Sequence, residues 1–327
     1  MKFATYDDGS LDGRLYVVSR DGERAAAAAS VAPSLLGALQ RWREVEAGLG
    51  RLSQDLESGR AAGAVVFEPK HCLAPLPRAP QWCDGSAFLN HGNLMDLAFK
   101  KAPIPDFETI PVMYQGASDD FLGPHADVPF VSEADGIDFE GEFGVVLDEV
   151  AMASPVAAAA GRIRLVVQIN DWSLRAIGAR EMPRGFGFLQ AKPSTSFAPV
   201  AVTPDELGPA WRDGRVDMRL HVALNGERVG SASGAEMAFS FPELIAHCAR
   251  TRRLKAGTII GSGTVSNADR PAGSSCIAEK RVIEMLDRGE ARTPFLKFGD
   301  RIEMEACFGD GRAGHFGRID QRVVAAQ

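Results

Sequence analysis

The chain of 327 residues is poor in histidine and cysteine, the residues that build most zinc sites and disulfide frameworks. Its five cysteines are an odd number, lie far apart, and include no C-x-x-C motif. This spacing predicts reduced thiols that pack as small hydrophobic side chains. No group of cysteines and histidines has the spacing of zinc ligands, so a zinc site of that kind is not indicated.

Long apolar runs and an excess of positive charge are also missing. No apolar stretch reaches the roughly 20 residues that a membrane span needs, and the N-terminus lacks the apolar segment of a secretory signal. The formal net charge of -7 argues against a nucleic-acid surface, which requires clustered positive charge. We therefore expect a cytoplasmic protein without a membrane or nucleic-acid partner.

Common catalytic and nucleotide-binding motifs do not occur. The sequence has no G-x-S-x-G, which leaves a serine hydrolase of that type without support. Residues 185–188 and 261–264 begin as G-x-G, but neither stretch completes a dinucleotide loop and no Walker lysine follows. Both stretches are better explained as tight turns that let the backbone approach a ligand.

The patterns that are present divide the chain near residue 78. Strands are predicted at 15–19 and 64–67, with one core-facing helix between them. The apolar residues of that helix are Leu35, Leu36, Leu39, Trp42, Val45, Leu49, Leu52 and Leu56. Prolines at 75, 77 and 80 mark a linker. We predict a small N-terminal α+β domain over 1–78 and a second domain over 79–327.

The second domain is rich in strand patterns. The candidate strands are 142–147, 163–169, 198–202, 216–224, 258–262 and 301–307. An Asn225-Gly226 pair predicts a hairpin, and 241–254 is its clearest helix. Because strands and helices do not alternate regularly, we predict an α+β, mostly β fold rather than a doubly wound sheet.

One predicted strand, residues 137–147, places acids where core residues are expected. Side chains alternate between the two faces of a strand. One face would carry the apolar residues Ile137, Phe139, Phe143 and Val145, and the other the acids Asp138, Glu140 and Glu142. Two carboxylates one side-chain period apart lie about 6 to 7 Å from each other at the backbone, and they repel. Lysine or arginine partners, or a divalent metal, would relieve that repulsion. The alternative is a surface strand with a solvated polar face.

Two more acids occur in apolar surroundings. Asp84 follows Trp82 and precedes His91 by seven positions, and Asp171 comes near the end of the apolar stretch 165–173. Together with Glu140 and Glu142 they make a set of four hard oxygen ligands. Such a set favours Mg²⁺, Mn²⁺ or Ca²⁺ over zinc.

Seven segments, in order, resemble the fumarylacetoacetate hydrolase family over roughly residues 80 to 320. They are Asp84 with His91, the stretch 114–116, the acidic strand 138–142, and the stretches 170–175, 187–192, 261–266 and 275–279. The resemblance implies a mixed β-sandwich roll as the catalytic domain, a small N-terminal domain, and a homodimer. It also implies a metal-dependent hydrolase that cleaves a C–C bond in a 1,3-diketo acid such as fumarylacetoacetate, using Mg²⁺ or Ca²⁺, with Mn²⁺ as a further candidate.

The resemblance also implies a role for individual residues. Four acids correspond to metal ligands: Asp84, Glu140, Glu142 and Asp171. His91 and Glu279 correspond to a water-activating pair. Arg175 and Lys192 correspond to residues that stabilise developing negative charge. The positions that correspond to substrate contacts are Lys100, Tyr114 and Thr264.

Three positions depart from the family pattern. Gly178 stands where the resembled hydrolases have a glutamine that donates to an oxyanion, which makes Gln190 and Arg180 candidates for its replacement. Ser86 replaces a tyrosine, and Lys100 replaces an arginine and cannot form a bidentate carboxylate contact. These departures affect the substrate more than the reaction class.

Other interpretations of the same residues remain open. Without the resemblance, a structural or surface histidine is the alternative for His91, and a surface ion pair is the alternative for Glu279, which precedes Lys280 and Arg281. A lyase of the same fold, either a 2-oxo acid hydratase or an oxaloacetate-type decarboxylase, would need the metal ligands but not the His91–Glu279 pair. A metal-stabilised binding protein without turnover is the third hypothesis.

Overall fold

A computed structural model describes residues 1–99 and 105–326, and the predicted substrate contact Lys100 lies outside them. The described strands are β1 (Lys2–Tyr6), β2 (Arg14–Val18), β3 (Arg24–Ala27), β4 (Val65–Val66), β5 (Trp82–Gly85), β6 (Met113–Gly116), β7 (Val128–Phe130), β8 (Ile137–Asp138), β9 (Gly141–Leu147), β10 (Ile163–Asn170), β11 (Ser173–Leu174), β12 (Ser196–Phe197), β13 (Ala201–Val202), β14 (Trp211–Arg212), β15 (Arg215–Val216), β16 (Arg219–Leu224), β17 (Glu227–Ser233), β18 (Ile259–Gly261), β19 (Arg301–Cys307) and β20 (Ala313–Ala325). The α-helices are α1 (Leu35–Gln40), α2 (Trp42–Glu57), α3 (Leu89–Phe99), α4 (Val156–Ala160), α5 (Arg175–Glu181), α6 (Phe241–Cys248) and α7 (Ile277–Arg288).

A large mixed sheet runs through most of the described chain. Its strand order is β4-β3-β2-β1-β13-β10-β9-β18-β5-β6, and β12 pairs with β10 at its side. All of these pairs are antiparallel except β18 with β5. Because β1 pairs with β13, the N-terminal strands continue the sheet of the second predicted domain. The boundary near residue 78 stays a prediction.

Both faces of the large sheet are covered, which explains why β9 is buried along its whole length. On one face Val145 packs in a core shared with a second sheet, of order β17-β16-β19-β20-β7. On the other face Val146 packs in a core shared with α1 and α2. Gln168 of β10 joins the two sheets, since its side chain donates to the Met304 carbonyl at 3.0 Å and accepts from the Ala306 N–H at 2.8 Å.

The predicted mostly β fold is confirmed, with local differences in the elements. The helix predicted around Leu35 to Leu56 is two helices that meet at Arg41, whose backbone is not helical (φ -129°, ψ 31°). This break accompanies the burial of Trp42 edge-on against Phe3, with ring centroids 6.0 Å apart. The predicted helix 241–254 ends at Cys248, and the predicted strands 198–202 and 216–224 are shorter or interrupted.

The Asn225-Gly226 hairpin is confirmed. Both residues have positive φ, 53° and 82°, as a tight hairpin turn requires, and they join β16 to β17. None of the described helices is both long and apolar enough to cross a membrane.

Candidate active site

The candidate site lies where neighbouring strands of the large sheet bring distant segments together. Strand pairing sets Asp84 opposite Tyr114 on one side and Gly261 on the other. Strand pairing also sets Glu142 opposite Ile169, two residues before Asp171. The sheet register therefore places Asp84, Glu142 and Asp171 at the same end of neighbouring strands, although up to 87 positions separate them in the chain.

The predicted single strand over 137–147 is wrong, and the difference shapes the site. It is two strands, β8 and β9, interrupted at Phe139 and Glu140. Strand β8 leaves the large sheet and pairs with β11, with Asp138 opposite Ser173. The alternative of a solvated surface strand is also wrong, because the acids at 138, 140 and 142 are all buried.

Three of the four predicted metal ligands form one buried cluster. Asp84, Glu142 and Asp171 each offer an oxygen, and these oxygens lie within 4.8 Å of one another. Burial and the neighbouring Asp171 carboxylate raise the pKa of Asp84 to about 8. Burial, together with Asp84 and Asp171, also raises the pKa of Glu142 well above its usual range. When all three carboxylates are ionised, the positive groups around the cluster do not balance their negative charge.

The donors around this carboxylate cluster fit a divalent cation. Neither side-chain oxygen of Glu142 has a hydrogen-bond partner among the described residues, although both atoms are buried. The Asp84 and Glu142 carboxylates are close enough to share a proton, which is the other means of reducing their repulsion. Three buried carboxylates without a nitrogen or sulfur ligand among them, one of them unpaired, are typical ligands of a hard cation such as Mg²⁺, Mn²⁺ or Ca²⁺.

Glu140 lies beside the carboxylate cluster and is held by two cations. The Lys192 ammonium lies 2.6 Å from both Glu140 Oε2 and Asp171 Oδ2. Arg175 Nη2 lies 2.8 Å from Glu140 Oε1, without the alignment of a hydrogen bond. Burial alone would raise the pKa of Glu140, but Lys192 and Arg175 lower it to about 2. Glu140 is therefore ionised and paired, and its role as a direct metal ligand stays a prediction.

Asp138 holds the surrounding elements in place, a role that the sequence interpretation missed. Its Oδ2 accepts from Arg175 Nε at 2.8 Å and from the Ala278 N–H at 2.9 Å. Its Oδ1 accepts from the Ile277 N–H at 2.7 Å and from the Phe139 N–H at 2.8 Å. A fully buried carboxylate thus fixes Arg175 and the start of α7 together. The sequence signal that could have indicated this role was an acid, Asp138, within an otherwise apolar predicted strand.

His91 and Glu279 meet as predicted, although 188 positions separate them. His91 Nδ1 lies 3.1 Å from Glu279 Oε2. The other Glu279 oxygen accepts from Ser266 Oγ at 2.9 Å. Glu279 is fully buried, which rules out the surface ion pair considered above. The Ser266 contact was missed at the sequence level, because nothing local distinguishes that serine from its neighbours.

A cavity of about 300 Å³ opens onto part of this site. Its polar part includes Asp84, His91, Glu140 and Lys192. Its apolar part is lined by Met95, Phe107, Val112, Met113, Leu174, Met182 and Phe188. A cavity with a polar base and an apolar wall fits a small ligand that carries charge at one end.

Two of the predicted substrate contacts, Tyr114 and Thr264, also line the cavity. The Tyr114 hydroxyl donates to Asp171 Oδ2 at 2.5 Å, and its ring lies under the Lys192 ammonium. Thr264 Oγ1 is buried and has no hydrogen-bond partner among the described residues. Of these two residues, Thr264 has the side-chain donor that is free for a ligand.

The predicted replacements for the missing oxyanion donor are wrong. Gly178 lines the cavity, but Gln190 and Arg180 line a separate surface depression. Arg180 donates to Gln190 Oε1 at 2.7 Å, so the two side chains bind each other. The donors that do line the cavity include Arg175, Lys192 and Thr264.

Glycines at the end of β18 and just after it permit the close approach of Asp84. A Cβ at Gly261 would lie 2.3 Å from Asp84 Oδ1. Gly263 has a φ of 77°, and its N–H donates to the same oxygen at 3.0 Å. The G-x-G of this segment therefore positions a carboxylate, and the prediction of a tight turn near a ligand site describes it better than a nucleotide loop.

Comparison with known families agrees with this fold. The sequence model of the fumarylacetoacetate hydrolase C-terminal family matches residues 81–324, and that of fumarylacetoacetase N-terminal domain 2 matches residues 1–78. These matches cover nearly the whole chain. The chain belongs to the fumarylacetoacetate hydrolase family.

Curated relatives within the family carry different activities. Fumarylacetoacetase of Caenorhabditis elegans is 25% identical over 299 residues, which are 75% of this chain and 70% of that protein. The 2,4-didehydro-3-deoxy-L-rhamnonate hydrolase of Sphingomonas sp. is 29% identical over 62% of each chain. An oxaloacetate tautomerase of Bacillus subtilis is 25% identical over 72% of this chain and 68% of its own length. The family includes hydrolases and a tautomerase, so the family alone leaves the reaction open.

Solved structures show the same fold over the full length of both chains. Fumarylacetoacetate hydrolase from Exiguobacterium antarcticum superposes with a TM-score of 0.68 at 21% identity. Maleylpyruvate hydrolase from Sphingobium, solved with manganese(II) and pyruvate, superposes with a TM-score of 0.66 at 16% identity. The predicted fold class is confirmed by these neighbours.

Proposed function

We propose that this protein is a metal-dependent hydrolase that cleaves a C–C bond in a 1,3-diketo acid, with fumarylacetoacetate as the first candidate substrate. The observation that carries the proposal is the His91–Glu279 pair, whose histidine lines the same cavity as Asp84 of the carboxylate cluster. Hydrolysis of a diketone needs a base for water and a means of stabilising a carbanion. The cavity offers groups suited to both.

The metal site of the proposal consists of Asp84, Glu142 and Asp171, with Glu140 as the fourth candidate ligand. Support comes from the mutual proximity of the three oxygens and from the unpaired Glu142 carboxylate. A divalent cation held there would act as a Lewis acid toward the adjacent oxygens of a diketo acid. We propose Mg²⁺, Ca²⁺ or Mn²⁺ because the ligands are all oxygen.

The proposed base is His91, acting through Nε2. Glu279 accepts from Nδ1–H, so it fixes the tautomer with a free Nε2 and stabilises the imidazolium that forms. Ser266 holds the second Glu279 oxygen and keeps the carboxylate oriented. Water then loses a proton to His91 while its oxygen bonds to the carbonyl carbon. Breaking the neighbouring C–C bond leaves one product as a carboxylic acid and the other as an enolate, which regains a proton.

Lys192 is proposed to stabilise the oxygen that gains negative charge. Its ammonium has three donor hydrogens, and Glu140 and Asp171 take two of them. One donor therefore remains for the substrate, and the buried Thr264 hydroxyl offers another. Arg175 is proposed to act mainly through Asp138 and Glu140, whose carboxylate oxygens lie 2.8 Å from its Nε and Nη2.

The test is to incubate metal-loaded protein with fumarylacetoacetate and to follow the loss of diketone absorbance together with the products. Formation of fumarate and acetoacetate supports the proposal. His91→Ala should abolish turnover while Mn²⁺ binding persists, and His125→Ala, at an exposed histidine, should match the wild type. An intact diketone beside isomerised or decarboxylated oxaloacetate would refute the hydrolase.

A second candidate function is favoured by one comparison. The oxaloacetate tautomerase of Bacillus subtilis matches 72% of this chain, against 75% for the nematode fumarylacetoacetase, and both are 25% identical to it. In a lyase or tautomerase of this fold the metal ligands suffice, and Glu279→Gln should leave most of the activity. In the hydrolase the same change should lower kcat on the order of a hundredfold.

A further inference from the structure

A third side chain, the Cys276 thiol, lies against the His91–Glu279 pair. One ligand atom from each of these residues, a nitrogen, a sulfur and an oxygen, lies within 4.8 Å of the other two. Cys276 and Glu279 are fully buried, and His91 is 7% exposed. The proposed hydrolysis uses the histidine and the glutamate and gives the thiol no role.

The local fold explains why the three donors meet. Cys276 is the N-cap of α7, where its sulfur accepts from the Glu279 N–H at 3.4 Å. One helical turn thus carries both the thiol and the carboxylate on the same end of α7. Helix α3, which packs against α7, brings His91 to them. Of the three, His91 lines the cavity, so an ion from the cavity meets the imidazole first and reaches the buried thiol and carboxylate past it.

The chemistry of these donors differs from that of the carboxylate cluster. Imidazole, thiolate and carboxylate together are typical of Zn²⁺ and of Co²⁺, its spectroscopic substitute, whereas Mg²⁺ and Ca²⁺ prefer oxygen alone. Zinc–ligand bonds of about 2.0 to 2.3 Å require donors about 3.3 to 3.8 Å apart in a tetrahedron. Because the donors start within 4.8 Å of one another, no pair of them needs to close by more than about 1.5 Å. Water can fill the fourth position.

We propose that His91, Cys276 and Glu279 form a second metal site, selective for Zn²⁺ and similar borderline cations, and that an ion bound there inhibits the enzyme. Binding breaks the S–H bond of Cys276, forms a metal–sulfur bond, and releases the proton to solvent. The ion also replaces the hydrogen bond between His91 and Glu279, so the histidine can no longer accept a proton from water. The inhibition, but not the binding, rests on the function proposed above.

The binding test uses Co²⁺, because a cobalt–thiolate bond gives a charge-transfer absorption that an all-oxygen site cannot give. Protein saturated with Mg²⁺ is titrated with Co²⁺, and Zn²⁺ is then added. We expect a thiolate band with one Co²⁺ per chain, lost on adding Zn²⁺ and missing in Cys276→Ser. Serine is a good N-cap, so this variant keeps the start of α7. Cys248→Ser, at a cysteine outside the site, should keep the band.

No thiolate band in the wild type, or an equal band in Cys276→Ser, would overturn the second site. If circular dichroism shows that Cys276→Ser is misfolded, Cys276→Ala serves in its place. The inhibition test compares turnover at rising Zn²⁺ for the wild type and the serine variant. We expect at least a tenfold higher inhibitory Zn²⁺ concentration for the variant, and equal sensitivity would refute the inhibition. The cobalt band can be measured without substrate. The titration therefore tests the second metal site even if the protein does not hydrolyse a diketone.

Discussion

Replacing Asp138 by asparagine tests how the buried acids organise the site. The carboxylate accepts four hydrogen bonds, two at each oxygen. Asparagine keeps the shape but has one oxygen, so its amide nitrogen faces two donors in either orientation. Loss of one member of a buried ion pair costs about 3 to 5 kcal/mol, because the partner charge stays buried without compensation. We expect Asp138→Asn to reduce the free energy of unfolding by that amount.

The assay is urea unfolding followed by circular dichroism, with the midpoint and slope fitted separately. Asp320→Asn is the matched control, since Asp320 also pairs with an arginine, Arg301, but at a partly exposed site. An exposed pair is worth at most about 1 kcal/mol. The double variant Asp138→Asn with Arg175→Met should be less destabilised than the sum of the single changes, because both unpaired groups are then removed. A cost for Asp138→Asn no larger than for Asp320→Asn would refute the reasoning.

Three further predictions concern the metal site, the charged centre and the pH dependence of stability. Gly261→Ala puts a Cβ against Asp84, so calorimetry should show about 10-fold to 100-fold weaker Mn²⁺ binding, whereas Gly309→Ala, in open space, should not change it. Lys192→Met should lower kcat on the order of a hundredfold or more, with Lys192→Arg retaining more activity, and equal rates for both variants would contradict a role for the charge. The Glu284 carboxylate accepts hydrogen bonds from the Thr293 hydroxyl and from the backbone N–H groups of Thr293 and Arg292. Burial alone would raise the pKa of Glu284, but these hydrogen bonds lower it from 4.5 to about 2. A carboxyl whose pKa is lowered by folding stabilises the fold above its unfolded pKa, so Glu284→Gln should lower the free energy of unfolding by on the order of 2 kcal/mol at pH 7. The difference in stability between wild type and variant should shrink as pH falls from about 4.5 toward 2. A constant difference in urea midpoint over that range would contradict this prediction.

The homodimer implied by the family resemblance stays a prediction. Analytical ultracentrifugation of the purified chain checks it directly, with a sedimenting mass of twice 35.0 kDa expected.

The sequence predicted those parts of the site that rest on unusual chemistry. Acids in apolar stretches, such as Glu142 and Asp171, contradict the ordinary preference for apolar residues in a core, so their residue types alone indicate function. The meeting of His91 with Glu279 came from the family resemblance, since the two residues are 188 positions apart. No local pattern carries that information.

The sequence could not predict features set by distant pairing. The break at Phe139 and Glu140 exists because β8 pairs with β11 rather than continuing β9, and alternation within one strand does not show that. The same holds for β1, which joins β13 of the other predicted domain. Asp138 was visible as a buried acid, but its partners at the start of α7 are about 140 positions away.

The central claim is that Asp84, Glu142 and Asp171 bind a divalent cation, and titration calorimetry with Mn²⁺ tests it most directly. We expect one ion per chain for the wild type and loss of that binding in Glu142→Gln, which removes the carboxylate whose oxygens have no donor among the described residues. No Mn²⁺ binding by the wild type, or undiminished binding by Glu142→Gln, would contradict the account.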